Sequence, residues 1–174
     1  ALAPQSLDAL DPLLPVGRQI ARFARLSGLT ADAARASVEN VIERYGLTSA
    51  HLKSYPHELS GGMARRALLA TATAGQARYL LADEPTVGLD ALTASDVLAH
   101  LRDLADTDRG VLVISHDLPA LIEMADRIVT LRHGRMEDET PVQAFRRGRG
   151  MAPYGAALWA AQPVNGMRLP AGAA

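Results

Sequence analysis

The stretch Tyr79-Leu80-Leu81-Ala82-Asp83-Glu84-Pro85 decides how this chain is read. A short apolar run closed by two carboxylates has the signature of a buried strand. Open α/β sheets bind their ligands at the carboxyl ends of such strands. At that place Asp83 can hold a Mg2+ ion, and Glu84 beside it can polarise an attacking water. Taken alone, an acidic pair after an apolar run is more often a solvated strand end.

Working outward, Gly110–Ser115 (GVLVIS) reads as a second buried strand, followed directly by His116-Asp117. If the two strands are parallel neighbours, their carboxyl ends share a side and His116 joins the site of Glu84. A lone histidine after a strand serves as often as a cap or a surface residue. Upstream, Tyr55–Met63 reads YPHELSGGM. Gly61 and Gly62 let backbone N–H groups approach an anion, the following helix aims its positive end the same way, and Ser60 adds a hydroxyl. The competing reading of Ser60-Gly61-Gly62 is a helix N-cap with a flexible turn.

The surroundings alternate in period. Residues 1–15 are punctuated by Pro4, Pro12 and Pro15 and read as a loop entering a helix. Val16–Leu26 repeats apolar residues at helical spacing and Gly28 stops it. Thr30 caps a second helix through Arg44, with Val38, Val41, Ile42 and Tyr45 on one face and Gly46 at its end. Residues 63–74 and 91–106 predict further helices, and Leu118–Ala125 another. Arg127–Leu131 reads as a third strand, and His133-Gly134 turns it into a hairpin with Arg135–Glu139. Strands alternating with helices argue for a parallel α/β sheet. From about Arg146 the chain is rich in Gly, Ala and Pro, which predicts a loosely docked extension.

Composition narrows the function classes. The 174 residues are 48% hydrophobic and 21% charged, enough for one ordinary globular domain. A net charge of −1 gives no electrostatic footprint for nucleic acid. The arginine clusters Arg65-Arg66 and Arg146-Arg147-Arg149 read as solvated faces. The sequence contains no cysteine, which excludes disulfides, thiolate metal ligands and thiol catalysis. No apolar stretch reaches the roughly 18 residues of a membrane helix.

The order of the motifs is more specific than any one of them. LSGG, a helix, a strand closed by DEP, then Val87-Gly88-Leu89-Asp90, then a strand closed by Ser115-His116-Asp117 resembles the nucleotide-binding subunit of ATP-binding cassette (ABC) transporters. LSGG is similar to the family signature, LLADEP to its Walker B strand, VGLD to its D-loop and His116 to its switch histidine. Pro4-Gln5-Ser6 and the following ALDPLLPVGRQI resemble the Q-loop and the start of the helical subdomain. YPHELSGGM, LDPLLPVG and the tail APYGAALWAAQP resemble the oligopeptide, dipeptide and nickel importer ATPases. After SGGM the chain reads ARRALLATATAG, where that family has a more polar, Arg- and Gln-rich start.

The resemblance implies a partial P-loop NTPase fold of the ABC type, α/β in class, with a helical subdomain beside the later part of a mainly parallel sheet. It divides the chain into a Q-loop region (1–15), the helical subdomain with the signature (16–76), a RecA-like part (77–145) and a C-terminal extension (146–174). It implies Glu84 and His116 as catalytic residues, Asp83 and Gln5 as Mg2+ ligands, and Ser60, Gly61, Gly62 and Asp90 as further contacts to ATP. In such dimers Ser60, Gly61 and Gly62 close over the partner's nucleotide, and Asp90 couples the two sites. The implied partners are a second ATPase subunit, identical or related, and the membrane permease. An extracytoplasmic solute-binding protein follows indirectly, and the location is peripheral, on the cytoplasmic face.

A phosphate loop of the form G-x-x-x-x-G-K-[ST] is missing from the 174 residues. Lys53 is the single lysine, and no glycine-rich loop precedes it. In the family that loop lies upstream of the Q-loop, so the expectation is a chain representing the later part of a longer subunit. By itself it is then inactive. The alternative function is a non-catalytic module that pairs with a complete ATPase. A soluble ABC ATPase acting on DNA or ribosomes is a third reading, against which the absence of long coiled-coil or zinc-bearing inserts weighs.

Overall fold

A computed structural model describes residues 1–165. Two compact units share the chain, Ala1–His116 and Asp117–Ala174.

The first unit is built on a three-stranded parallel sheet. Strand β1 (Leu2–Ala3) is followed by helices α1 (Val16–Leu26), α2 (Ala31–Arg44) and α3 (Gly61–Thr73), then β2 (Tyr79–Asp83), α4 (Ala91–Asp106) and β3 (Gly110–Ile114). The sheet order is β1-β2-β3, with Leu2 opposite Leu81 and Leu81 opposite Leu112. Residues 2–3 are therefore a strand, where the prolines predicted only loop. Two residues are too few to show a period, so pairing with β2 is what defines β1.

The strands are covered on one face only. Ala3, Leu80 and Ala82 are buried, whereas Leu2, Leu81 and Leu112 are 60%, 42% and 51% exposed, and Tyr79 and Ile114 share their exposure. The expectation of buried strands therefore holds for one face and not for the other. A side-chain period of two sends alternate residues to opposite faces, and the described residues cover one of them.

Helices α1 to α3 pack on each other because their apolar residues recur at helical spacing. Val16, Ile20 and Ala24 form one fully buried stripe of α1. Thr30 caps α2 by accepting from the Ala33 N–H at 3.3 Å, and Ala34, Val38, Val41 and Ile42 face inward. The α3 helix is the most enclosed, with Ala64–Ala70 buried except for Arg66. Ile20 lies at the centre of this packing. Ile20→Ala is expected to cost about 2–5 kcal/mol, the price of a lost side chain plus a cavity. Urea denaturation checks this, and a loss below about 1 kcal/mol would mean that α1 is not part of the cooperative core.

Two buried polar groups mark the meeting of α2 and α4. The ring of His100 stands edge-on to Tyr45, with centroids 5.1 Å apart. Neither ring nitrogen of His100 has a hydrogen-bond partner among the described residues. Burial, reinforced by the charge of Arg44, pushes the His100 pKa down, which favours the neutral imidazole.

Among the described residues, the second unit is an antiparallel hairpin with three α-helices. Helix α5 (Leu118–Met124) precedes β4 (Arg127–Arg132) and β5 (Arg135–Pro141), which pair only with each other, and α6 (Val142–Arg146) and α7 (Pro153–Ala160) follow. His133 and Gly134 take φ of 49° and 74°, the left-handed pair that a two-residue hairpin turn requires. Ile128, Val142 and Phe145 form its core, against which Met151 and Trp159 pack. Through Asn165 the tail is thus folded onto its own unit and not loosely docked; residues 166–174 lie outside the described residues. Arg146 donates to the Ile122 carbonyl at 2.7 Å and to Glu123 at 3.1 Å, so the cluster read as a solvated face contributes a structural tie.

Candidate functional site

The parallel sheet brings three chain segments to one end. Gln5 follows β1, Asp83 and Glu84 close β2, and Ser115 and His116 follow β3. All three strands point the same way, so these residues lie at the carboxyl ends, where open α/β sheets place their ligands.

Glu84 is the most constrained of them. Its φ of 47° lies in the left-handed region, which costs a residue with a Cβ about 1–3 kcal/mol. The conformation is held by its N–H, which donates to the Ile114 carbonyl at 2.8 Å, and by its carbonyl, which accepts from the Val87 N–H at 3.3 Å. The carboxylate is held as firmly. Ser115 Oγ donates to Oε2 at 3.2 Å, the His116 N–H donates to Oε1 at 3.1 Å, and His116 Nδ1 lies 2.8 Å from Oε1. The Glu84 side chain is only 14% exposed, and that of His116 is 81% exposed. The histidine therefore presents its ring to solvent while one nitrogen is turned to the glutamate. The sequence placed these two residues at matching strand ends, and the structure brings them into contact.

The signature segment stands at the start of α3. Ser60 takes the N-cap position, its Oγ accepting from the Met63 N–H at 3.3 Å, and it is itself exposed. Gly62 adjoins the D-loop: a Cβ there would lie 3.6 Å from the Gly88 carbonyl and from Leu89. Gly61 is different. It has no positive φ, and a Cβ built on it meets no described atom within 4 Å. Neither this chain's backbone nor its packing requires glycine at 61. Asp90 caps α4, accepting from the Thr93 N–H at 3.0 Å and from the Thr93 hydroxyl at 2.7 Å. Those bonds, the backbone one first, hold its carboxyl below the usual range.

Two residues were missed in the sequence. Arg65 and Arg66, read as a solvated pair, are structural. Arg66 Nη1 donates to the carbonyls of Tyr45 and Gly46 at 3.0 and 3.1 Å, tying α3 to the end of α2. Arg65 is 6% exposed, and its guanidinium donates to the Pro4 carbonyl at 3.0 Å and the Gln5 carbonyl at 2.5 Å. Burial lowers its pKa, while the negative charges of Asp83 and Glu84 oppose that shift. The one available signal was position: Arg65 falls on the inward face of a helix whose neighbours are Ala64, Ala67 and Leu68.

Among the described residues no group of three or more His, Cys, Asp or Glu side chains could hold a metal ion. Mg2+ is commonly held by one or two carboxylates, with waters and substrate phosphates completing the shell. Asp83, the carboxylate that closes β2, fits that mode, whereas both oxygens of Glu84 are engaged by Ser115 and His116.

Solved structures share this architecture. A dimeric bacterial ABC transporter cassette, MJ0796, superposes with a TM-score of 0.73 at 24% identity, covering 81% of this chain and 62% of that one. An ATP-binding subunit of an ABC transporter gives a TM-score of 0.78 at 23% identity, covering 90% and 65%. The fold is that of an ABC ATPase cassette, in part. The ABC transporter family model matches residues 1–87, half of the chain. This chain belongs to that family.

Among curated relatives, "Putative peptide import ATP-binding protein" of Brucella abortus (strain 2308) is 34% identical over 161 residues, 90% of this chain and 48% of that protein. The glutathione import ATP-binding protein GsiA of Pectobacterium atrosepticum is 34% identical over 167 residues, 93% of this chain and 26% of that one. The chain thus spans about half the length of the first of these relatives, and a quarter of the second.

Proposed function

We propose that this chain supplies the signature, Walker B and switch-histidine part of the ATP-hydrolysing subunit of an importer for peptides or similarly small solutes. The observation that carries the reading is Glu84, held in a left-handed backbone at a strand end with His116 against its carboxylate. A strained, doubly anchored carboxylate at that position suits a group that must orient a water molecule. The solute class follows the names of the relatives, which give peptides and glutathione. Nickel, part of the resemblance, has no support from those names.

In this reading Glu84 orients and polarises the attacking water, and His116 turns its exposed ring toward the terminal phosphate. Asp83 and the side chain of Gln5 would hold Mg2+, which when bound offsets the charge of the ATP phosphates. Ser60, Gly61 and Gly62 serve a nucleotide held by a second subunit. Gly61, which the chain's own packing leaves unexplained, supports a close approach from outside. Asp90 fixes the start of α4 beside the signature and so links the two sites. The helical subdomain docks the permease, which puts the subunit at the cytoplasmic face. No helix among the described residues is long and apolar enough to cross a membrane, in keeping with a peripheral subunit.

The test compares the purified chain with a subunit in which a phosphate-loop segment precedes it. The chain alone is expected to show no Mg2+-dependent ATP hydrolysis above background, because phosphoryl transfer rests on positioning and charge stabilisation by that loop. The extended subunit is expected to turn ATP over. A folded extended subunit that binds no ATP would overturn the reading.

A further inference from the structure

His100 stands far from the strand ends in role, and its surroundings are unusual. It is 8% exposed on α4, and neither ring nitrogen has a partner among the described residues or reaches solvent. Buried polar groups ordinarily find a partner. The ring instead packs nearly perpendicular (83°) to Tyr45 at the end of α2, with centroids 5.1 Å apart. Burial pushes the Tyr45 phenol pKa up and keeps it neutral, and its oxygen accepts from the Thr73 hydroxyl at 3.3 Å. Tyr45 therefore offers no negative charge to the imidazole. The other groups around the ring do little better. Arg44 of α2 is paired at 3.0 Å with Asp103, the carboxylate one turn further along α4. Arg109, ahead of β3, shares with His100 the lining of a cavity of about 380 Å³ and donates to the Gly75 carbonyl at 3.1 Å. The end of α3 adds Thr73, which is uncharged.

We propose that His100 is an acid-sensitive pin, which packs α4 on the end of α2 while its ring is neutral and parts the two helices when the ring is protonated. An imidazolium here has two arginines about it and one carboxylate, already engaged by Arg44. It also needs water, and neither nitrogen can meet water unless α2 or α4 moves. The Arg44–Asp103 pair, the other tie at this junction, is more than half exposed on both sides and adds little. The ring contact is thus what acid can break. Burial first, then the charges of Arg44 and Arg109, hold the His100 pKa below its ordinary 6.5, with Asp103 opposing. The unfolded chain therefore takes the proton first. Stability is full above about pH 6.5 and is lost as the pH falls below it.

The experiment compares urea unfolding of the full chain with that of His100→Phe, which keeps an aromatic edge for Tyr45 and cannot titrate. Between about pH 7.5 and about pH 5.5 the wild-type unfolding constant is expected to rise about three- to tenfold more than the variant's, tenfold being the limit for one such proton. Two measurements on the wild type accompany it. An NMR titration should give the folded His100 ring a midpoint below the ordinary histidine value. Amide hydrogen exchange at about pH 5.5 should show α2 and α4 losing protection ahead of β2 and β3. Equal pH dependence in the two proteins overturns the proposal, as does a ring midpoint at or above the ordinary value. Loss of protection shared evenly by helices and strands also overturns it, because His100 would then be a buried group that acid merely destabilises. Should His100→Phe fail to fold, the titration and the exchange pattern still decide.

Discussion

Glu84→Gln in a subunit completed with its phosphate loop is expected to slow ATP hydrolysis about 100- to 10,000-fold, the usual worth of a positioned general base. ATP affinity should stay close to that of the wild type, because the carboxylate polarises water and does not hold the nucleotide. The amide preserves size, its oxygen can still accept from the His116 N–H in the place of Oε1, and its NH2 in the place of Oε2 can donate to the Ser115 hydroxyl instead of accepting from it. The strained backbone at φ 47° should also survive, since it is set by bonds of the main chain. Steady-state turnover together with equilibrium ATP binding decides the matter. A variant that keeps a tenth or more of its turnover, an effect of about 1.4 kcal/mol or less, would remove Glu84 from the chemistry.

Ser60→Arg should be as damaging to turnover and for a different reason. Ser60 is exposed at the start of α3, so a long cation there obstructs an approaching molecule without disturbing this chain's own strand ends. Loss of the cap itself costs only about 1 kcal/mol. Hydrolysis is expected to fall about 100-fold or more, with ATP still bound by the substituted subunit. The informative measurement mixes Ser60→Arg with Glu84→Gln in a self-paired dimer. If the signature acts across the dimer, a mixed pair contains one site with neither substitution, and turnover returns. If the signature acts within its own chain, each site carries one defect and the mixture stays inert. That second outcome would end the composite-site reading.

The parts of the fold that the sequence disclosed are those with a period to read. Val16–Leu26, Thr30–Arg44 and Ala91–Asp106 have apolar spacing, and the second and third start at their capping residues, Thr30 and Asp90. The placing of Glu84 beside His116 followed from parallel pairing, because registers equal to within a residue carry both strand ends to the same level. What stayed hidden depends on partners distant in sequence. A two-residue strand such as Leu2–Ala3 exists only through β2. The burial of Arg65 depends on carbonyls about 60 residues away. The exposure of Leu81 and Leu112 records which surfaces meet, and an apolar strand reads alike whether one face or both are covered. Trp159 docks on a hairpin whose core the tail's composition does not reveal.

The three contacts to Glu84 also say something about waiting. Ser115 Oγ and two atoms of His116 already occupy both carboxylate oxygens. A water to be activated there must compete with groups of the same chain for the same lone pairs. In the proposed function, the contacts of His116 and Ser115 hold the glutamate latched until the imidazole turns to a phosphate. On the proposed function, futile hydrolysis is restrained by the same residue that would serve the reaction. The latch opens when a ligand offers the imidazole a better partner.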